Sequence, residues 1–244
     1  MPEPVVRFQG VRKCYGAATV LRDLDFEIRA GDFVGLAGVN GAGKTTLLKC
    51  LLDLCGLDAG TIEIHGIAHR RPEARARLAY LPEQFVAPYF LTGREFLATM
   101  QEFSGRRYDE AAARRMFELL DLDTGALDKP ARVYSKGMRQ KLGLAACFLA
   151  GREFCVLDEP LSGLDPKSRA RVRTLLLRQK AEGRTVLLTA HSLPDIEEIC
   201  DHIAILHDAK LAFYGPPPAL LQRFRETSLE QAFLKCIESE DCHA

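Results

Sequence analysis

Apolar positions alternate along the first third of the chain and then change period. "VVRFQGV" and "LRDLDFEIRAGD" carry the two-residue repeat of strands, the latter at Leu24, Phe26 and Ile28. "FVGLAG" is a continuous apolar strand running into glycines, and "KTTLLKCLLDL" is the helix behind them. "TIEIHG" and "RLAYLPEQ" return as strands, the second closed by Pro82. Between Thr92 and Ala150 the spacing becomes helical. "TGREFLATMQEF", "YDEAAARRMFELLDL" and "SKGMRQKLGLAACFLA" each open with a Thr, Asp or Ser suited to a cap. Strand runs resume at "FCVLDEP", "TVLLTAHS", "HIAILHD" and "KLAFYG", with helices "PKSRARVRTLLLRQKAEG" and "LPDIEEICD" between them. A turn, "GPPP", leads to a helical tail containing "SLEQAFLKCI". The pattern predicts an α/β sheet with crossover helices, interrupted by a helical insertion. No internal repeat is visible, and there is one glycine loop.

Composition narrows the picture without deciding it. A chain of 244 residues can bury a substantial core, and 47% hydrophobic with 27% charged residues is ordinary for a globular protein. Lys+Arg and Asp+Glu balance at 33 each, so no global field draws the chain to nucleic acid, and no nucleic-acid partner is expected. No apolar run reaches the roughly 18–20 residues of a membrane span, and "MPEPVVRFQG" lacks a signal pattern, so a cytosolic location is expected. The eight cysteines (14, 50, 55, 147, 155, 200, 236 and 242) form no C-x-x-C pair and are expected to be reduced, several as small core hydrophobes. His65 and His69 have helical ligand spacing but fall on a strand and its turn, and they read as surface histidines. Arg70, Arg71, Arg75 and Arg77 read as a solvated, helix-like face, with a membrane-surface contact as the sharper alternative.

The chemistry begins at "GVNGAGKTT", which matches G-x-x-x-x-G-K-[ST] as Gly38, Gly43, Lys44 and Thr45. Glycines let the backbone N–H groups from Asn40, Gly41 and Ala42 onward to Thr46 close on phosphate oxygens. Lys44 brings a point charge to the outer phosphates, and the Thr45 hydroxyl is placed to ligate Mg²⁺ at a helix N-terminus. In "FCVLDEP" a buried strand delivers Asp158 and Glu159 to its C-terminal end. Asp158 suits Mg²⁺ ligation, direct or through water, and Glu159 suits polarising a water against the terminal phosphate.

With these residues in place, the chain resembles the ATP-binding subunits of ABC transporters over nearly its whole length. "VYSKGMRQKLGLA" is similar to the family's signature motif, keeping Ser135 and Gly137, with Lys136 and Met138 in place of the usual Gly and Gln. "LSGLDP" resembles the D-loop, centred on Asp165. "TAHS" resembles the switch motif and implies that His191 faces the γ-phosphate. "KCYG" resembles the A-loop and implies that Tyr15 stacks on adenine. The family commonly has Gln directly after "Y-[LV]-P"; here Glu83 holds that place and Gln84 follows, so both are candidates to meet Mg²⁺ or its water.

The resemblance implies a P-loop (RecA-like) core with an antiparallel β subdomain and an inserted helical subdomain. Its bounds would be 1–87 and 151–215 for the core, 88–150 for the helices and 216–244 for the tail. It further implies a head-to-tail pair of chains around two ATP, docked on a separate membrane permease at the inner face of the membrane. "YLPEQ", "YSKGMRQKL" and "SLEQAF" resemble most the bacterial subunits paired with exporter-type permeases, including those of the nitrous oxide reductase (copper maturation) type. Two other classes compete. A soluble ATPase of the family acting on ribosomes or DNA is disfavoured by the single nucleotide unit and the lack of long coiled coils. A regulator without turnover is disfavoured by an intact Asp158, Glu159 and His191.

Overall fold

The computed structural model describes residues 3–239, so Cys242 lies outside the described residues. β1 (Val6–Tyr15) and β2 (Ala18–Ile28) form a long antiparallel hairpin. β3 (Phe33–Gly38) leaves it for a second sheet and runs into α1 (Lys44–Leu51). β4 (Ala59–Ile64) returns to pair with β1, and a short β5 (Ile67–Ala68) adds an edge before the one-turn α2 (Pro72–Arg75). The resulting sheet has the order β2–β1–β4–β5. Its inward residues follow the period-2 pattern: Val6, Phe8, Leu24, Ile28, Ile62 and Ile64 are all buried, with Phe8 stacked on Phe26 at 4.3 Å.

β6 (Leu78–Leu81) precedes the helical segment α3 (Gly93–Phe103), α4 (Glu110–Leu119) and α5 (Lys136–Leu149). Each of the three caps is made. Thr92 and Glu95 form a reciprocal capping box, Asp109 accepts from the Ala112 N–H at 2.9 Å, and Ser135 accepts from the Met138 N–H at 3.2 Å. The chain then alternates through β7 (Phe154–Leu157), α6 (Pro166–Ala181), β8 (Thr185–Thr189), α7 (Leu193–Ile199) and β9 (His202–His207). β10 (Lys210–Gly215), α8 (Pro217–Phe224) and α9 (Leu229–Glu238) complete it.

The second sheet has the order β10–β9–β3–β8–β7–β6, parallel except for β10 at its edge. Both of its faces are covered, which explains why its strands are apolar at successive positions. Val34, Leu36, Val156 and Leu187 pack with α1 and the antiparallel sheet. Phe33, Ala37, Leu157, Leu188 and Ile205 pack under the helices. The Tyr214 hydroxyl donates to the Glu27 carbonyl and ties the two sheets together. Because β3, β7 and β8 are parallel, their C-terminal ends share one edge of the sheet.

Two expectations need correction. His69 is not a surface residue: it is 3% exposed, with Nδ1 at 3.0 Å from the Ile62 carbonyl oxygen, because β5 folds back along β4. The His65 side chain is also largely covered, 3.3 Å from Glu153. The arginine face is solvated only in part. Arg71 and Arg77 are exposed, but Arg75 donates to Asp53 at 2.9 Å and to the His69 carbonyl, pinning α2 to the turn after α1. Cys14, Cys50, Cys55, Cys147, Cys155 and Cys200 form no disulfide, and among the described residues no helix is long and apolar enough to cross a membrane.

Candidate nucleotide site

The glycine loop threads between β2 and β9. At Gly43 (φ 103°) a Cβ would come within 2.7 Å of the Val20 carbonyl, and at Gly38 (φ 156°) within 2.5 Å of the Leu206 carbonyl. Both positions exclude side chains sterically, and Gly43 sets the left-handed turn from which α1 starts. The first turn of α1 contains no acidic residue, so its free N–H groups face the site with their positive dipole end unopposed. Lys44 is 8% exposed, and its ammonium donates to the carbonyls of Gly38 (2.6 Å) and Val39 (3.2 Å). Burial pulls its pKa below the usual lysine value, against the attraction of Glu159 and Asp158.

A cavity of about 350 Å³ opens here, lined by Val20, Asn40, Gly41, Ala42, Gly43, Lys44, Thr45, Thr46, Glu83, Asp158, Glu159 and His191. Asp158 and Glu159 are both buried. Thr189, at the end of β8, joins them: its hydroxyl donates to Asp158 Oδ1 at 2.6 Å and accepts from the Glu159 N–H at 2.8 Å. Glu159 takes a left-handed backbone (φ 49°), an unusual conformation for a side-chain-bearing residue, which turns the chain sharply at the strand end. Burial raises the Glu159 carboxyl above its ordinary range; His191 opposes the shift and Asp158 adds to it. His191 Nε2 lies 3.4 Å from Glu159 Oε1, an oxygen that is buried without a hydrogen-bond donor.

The side-chain oxygens around this cavity are the Thr45 and Thr46 hydroxyls, the Asn40 amide and the carboxylates of Asp158, Glu159 and Glu83, of which Thr45, Asp158 and Glu83 are the candidate metal ligands. An all-oxygen set with few carboxylates fits Mg²⁺, which takes its remaining ligands from phosphate and water. Glu83 lines the cavity and Gln84, its exposed neighbour, does not.

Other candidates lie away from it. Tyr15, 51% exposed at the end of β1, has the Lys13 ammonium 5.3 Å from its ring centroid and is not part of the cavity wall. Ser135, Lys136, Gly137 and Met138 form the start of α5 and also do not line the cavity. Lys136 lies beside Gly163 in the loop that leads to Asp165. Asp165 caps α6, accepting from the Ser168 N–H at 3.0 Å, and the Ser168 hydroxyl, followed by this N–H, holds its carboxyl below the usual range. Further along α6, Arg169 and Arg173 both grip Asp195 of α7, a carboxylate on a residue only 2% exposed.

Val20 and Thr189 were not among the candidates read from the sequence. For Thr189 the signal was present: it is the polar residue closing the apolar run "TVLLT" beside the His191 loop.

The profile of the ABC transporter family matches residues 21–162 of the chain. The chain is 34% identical over 225 residues to the Nod factor export ATP-binding protein I of Paraburkholderia xenovorans, covering 91% of this chain and 74% of the relative. It is 27% identical over 247 residues to the linearmycin resistance ATP-binding protein LnrL of Bacillus subtilis, covering 96% and 79%. A solved ATP-binding subunit of an ABC transporter superposes with a TM-score of 0.86 at 30% identity, covering 95% of this chain and 99% of that one. With a P-loop α/β fold, a glycine loop and a carboxylate pair at one sheet edge, the chain belongs to the ABC transporter family, as an ATP-binding subunit whose ATPase activity drives transport.

Proposed function

We propose that two copies of the chain close head to tail around two Mg²⁺-bound ATP molecules and drive export through a separate membrane permease. The observation that carries this reading is the separation of the two phosphate-binding helix starts. The glycine loop lines the catalytic cavity, while the turn at Ser135, Lys136, Gly137 and Met138 does not, which supports a second chain bringing the two together. Lys44 and the loop N–H groups hold the outer phosphates, with Tyr15 against adenine. Thr45 and Asp158 hold Mg²⁺, with Glu83 rather than Gln84 meeting its water, because Glu83 is the one at the cavity. The metal supplies charge neutralisation at the phosphate oxygens. Glu159 orients the attacking water and takes its proton, and its raised pKa suits that task. His191 steadies Glu159 and the γ-phosphate, and Asp165 contributes at the interface between copies.

The core is assigned to 1–87 and 151–215, the helical subdomain to 88–150 and the tail to 216–244. Val86, Tyr89 and Phe90 are apolar and strongly exposed just after Glu83 and Gln84, which suits docking of a permease helix beside Phe85 at the inner membrane face. Export as the direction rests on the relatives, which include a Nod factor exporter and a linearmycin resistance protein.

The test uses purified Glu159→Gln in ATP and Mg²⁺ on a sizing column. The variant should run as a dimer, with ATPase turnover reduced by about 10²–10⁴-fold. A monomer under saturating ATP would sink the head-to-tail reading.

A further inference from the structure

The C-terminal end of α1 carries a feature unrelated to phosphate binding. After Leu51 the chain reverses through Asp53 in a left-handed conformation (φ 58°), and the N–H groups of Leu54 and Cys55 both point to the Lys49 carbonyl, at 2.8 and 3.3 Å. The reversal brings Cys55 back over the helix until its Sγ lies 3.5 Å from the Sγ of Cys50. Cys50 is fully buried and Cys55 half-buried. Three residues on, Asp58 accepts from the Cys14 N–H at 2.5 Å and from Lys13 Nζ at 3.3 Å, tying this turn to the strand that ends at Tyr15. The same Lys13 ammonium lies 5.3 Å from the centroid of the Tyr15 ring. Two thiols in contact, one of them reachable from solvent, therefore sit directly behind the exposed aromatic ring of the β1–β2 turn.

We propose that Cys50 and Cys55 form a reversible dithiol–disulfide site that responds to peroxide-class oxidants and changes ATP affinity through Tyr15. The link to ATP rests on the assignment of Tyr15 to adenine. Burial pushes the Cys50 thiol up to about 12, so Cys50 stays protonated and the oxidant meets Cys55 first. The Cys55 thiolate attacks one peroxide oxygen, the O–O bond breaks, and hydroxide leaves, giving a sulfenic acid. Cys50 sulfur then displaces the sulfenic oxygen. Its proton leaves with that oxygen as water, and the S–S bond forms. Two thiols are oxidised and one peroxide is reduced. Closing the last gap between the sulfurs draws Cys55 toward the helix and pulls on Asp58, which disturbs the strand end that carries Tyr15.

The site is tested on the full-length protein treated with hydrogen peroxide in the absence of nucleotide, followed by thiol blocking under denaturing conditions and trypsin digestion. Both cysteines fall on the peptide 50–70, between Lys49 and Arg70. After oxidation that peptide should carry no blocking group and be lighter than its reduced form by two hydrogens, and dithiothreitol should reverse the change. The oxidised protein should bind a fluorescent ATP analogue about 2–10-fold more weakly, the loss of one aromatic stacking contact, while Cys50→Ala should be oxidised at Cys55 without forming the disulfide and Cys55→Ser should form none. A peptide that remains fully blocked, or Cys55 driven to sulfinic acid without linkage to Cys50, overturns the site. If the disulfide forms without altering ATP affinity while Tyr15→Ala weakens ATP binding, the coupling is overturned. If Tyr15→Ala itself leaves ATP binding unchanged, the adenine assignment falls and the coupling with it, and the peptide map alone then decides the dithiol site.

Discussion

The glycine-loop edge of the sheet and the first turn of α5 both present helix N-termini, yet they are built in opposite ways. At the first, Lys44, Asp158 and Glu159 are all buried, and burial shifts Lys44 down and Glu159 up, each against its own charged form. At the second, Ser135 and Lys136 are exposed, and the side-chain bonds at the turn are an ordinary Ser135 cap and an Arg139 bond to the Tyr134 carbonyl at 3.0 Å. One region keeps charges that solvent would hold more comfortably. The other keeps none. An isolated chain therefore carries an electrostatic cost at the catalytic edge that phosphate and its counter-ion relieve, and nothing equivalent at the signature turn. The electrostatic cost is concentrated on one side only.

The sharpest way to break this comparison is Lys44→Ala. Charge-assisted hydrogen bonds are worth about 1.5–3 kcal/mol, so calorimetry should show ATP binding about 10–150-fold weaker. An unchanged affinity would mean that the buried ammonium is structural. Next is Thr189→Val, which leaves the buried Glu159 N–H and Asp158 Oδ1 without their partner. Denaturant unfolding should register a loss of about 1–3 kcal/mol, with turnover falling more than ATP affinity. Ser135→Ala should cost about 1 kcal/mol as a lost cap and leave ATP binding by the single chain unaltered. A drop in that affinity would show that the two regions are already joined within one chain.

The smallest effect concerns pH. The Glu159 carboxyl is raised in the folded state above its reference value of 4.5. The stability linked to it is fully present below that value and is lost as pH rises through the higher folded pKa. Glu159→Gln escapes that loss. It should melt above the wild type at neutral pH, with the advantage gone at about pH 4; an advantage that persists in acid would assign it to packing instead.

Much of this was legible because the signals were local. The caps at Thr92, Asp109 and Ser135 are single residues before a periodic run, and the apolar strand ahead of Gly38 announces a loop at a sheet edge. What escaped depended on chain reversal. The β4–β5 turn buries His69 under its own carbonyl contact, and no spacing rule distinguishes that from a surface turn. Which of Glu83 and Gln84 lines the cavity depends on adjacent directions at a strand end, set only when β6 lies beside β7. The meeting of Cys50 with Cys55 requires Asp53 to adopt a left-handed backbone, a conformation that its sequence context permits but does not announce.

The grip of Arg169 and Arg173 on Asp195 has a mechanical meaning. α6 begins at Asp165, which faces outward, and α7 begins just after His191, at the cavity. Pulling the two helices apart would strand a carboxylate under protein, at a cost of about 3–5 kcal/mol. The pair therefore behaves as one stiff crank. On the proposed head-to-tail reading, a push on the outward loop would reach His191 through this pair, coupling the arrival of a second subunit to the histidine's position at the cavity.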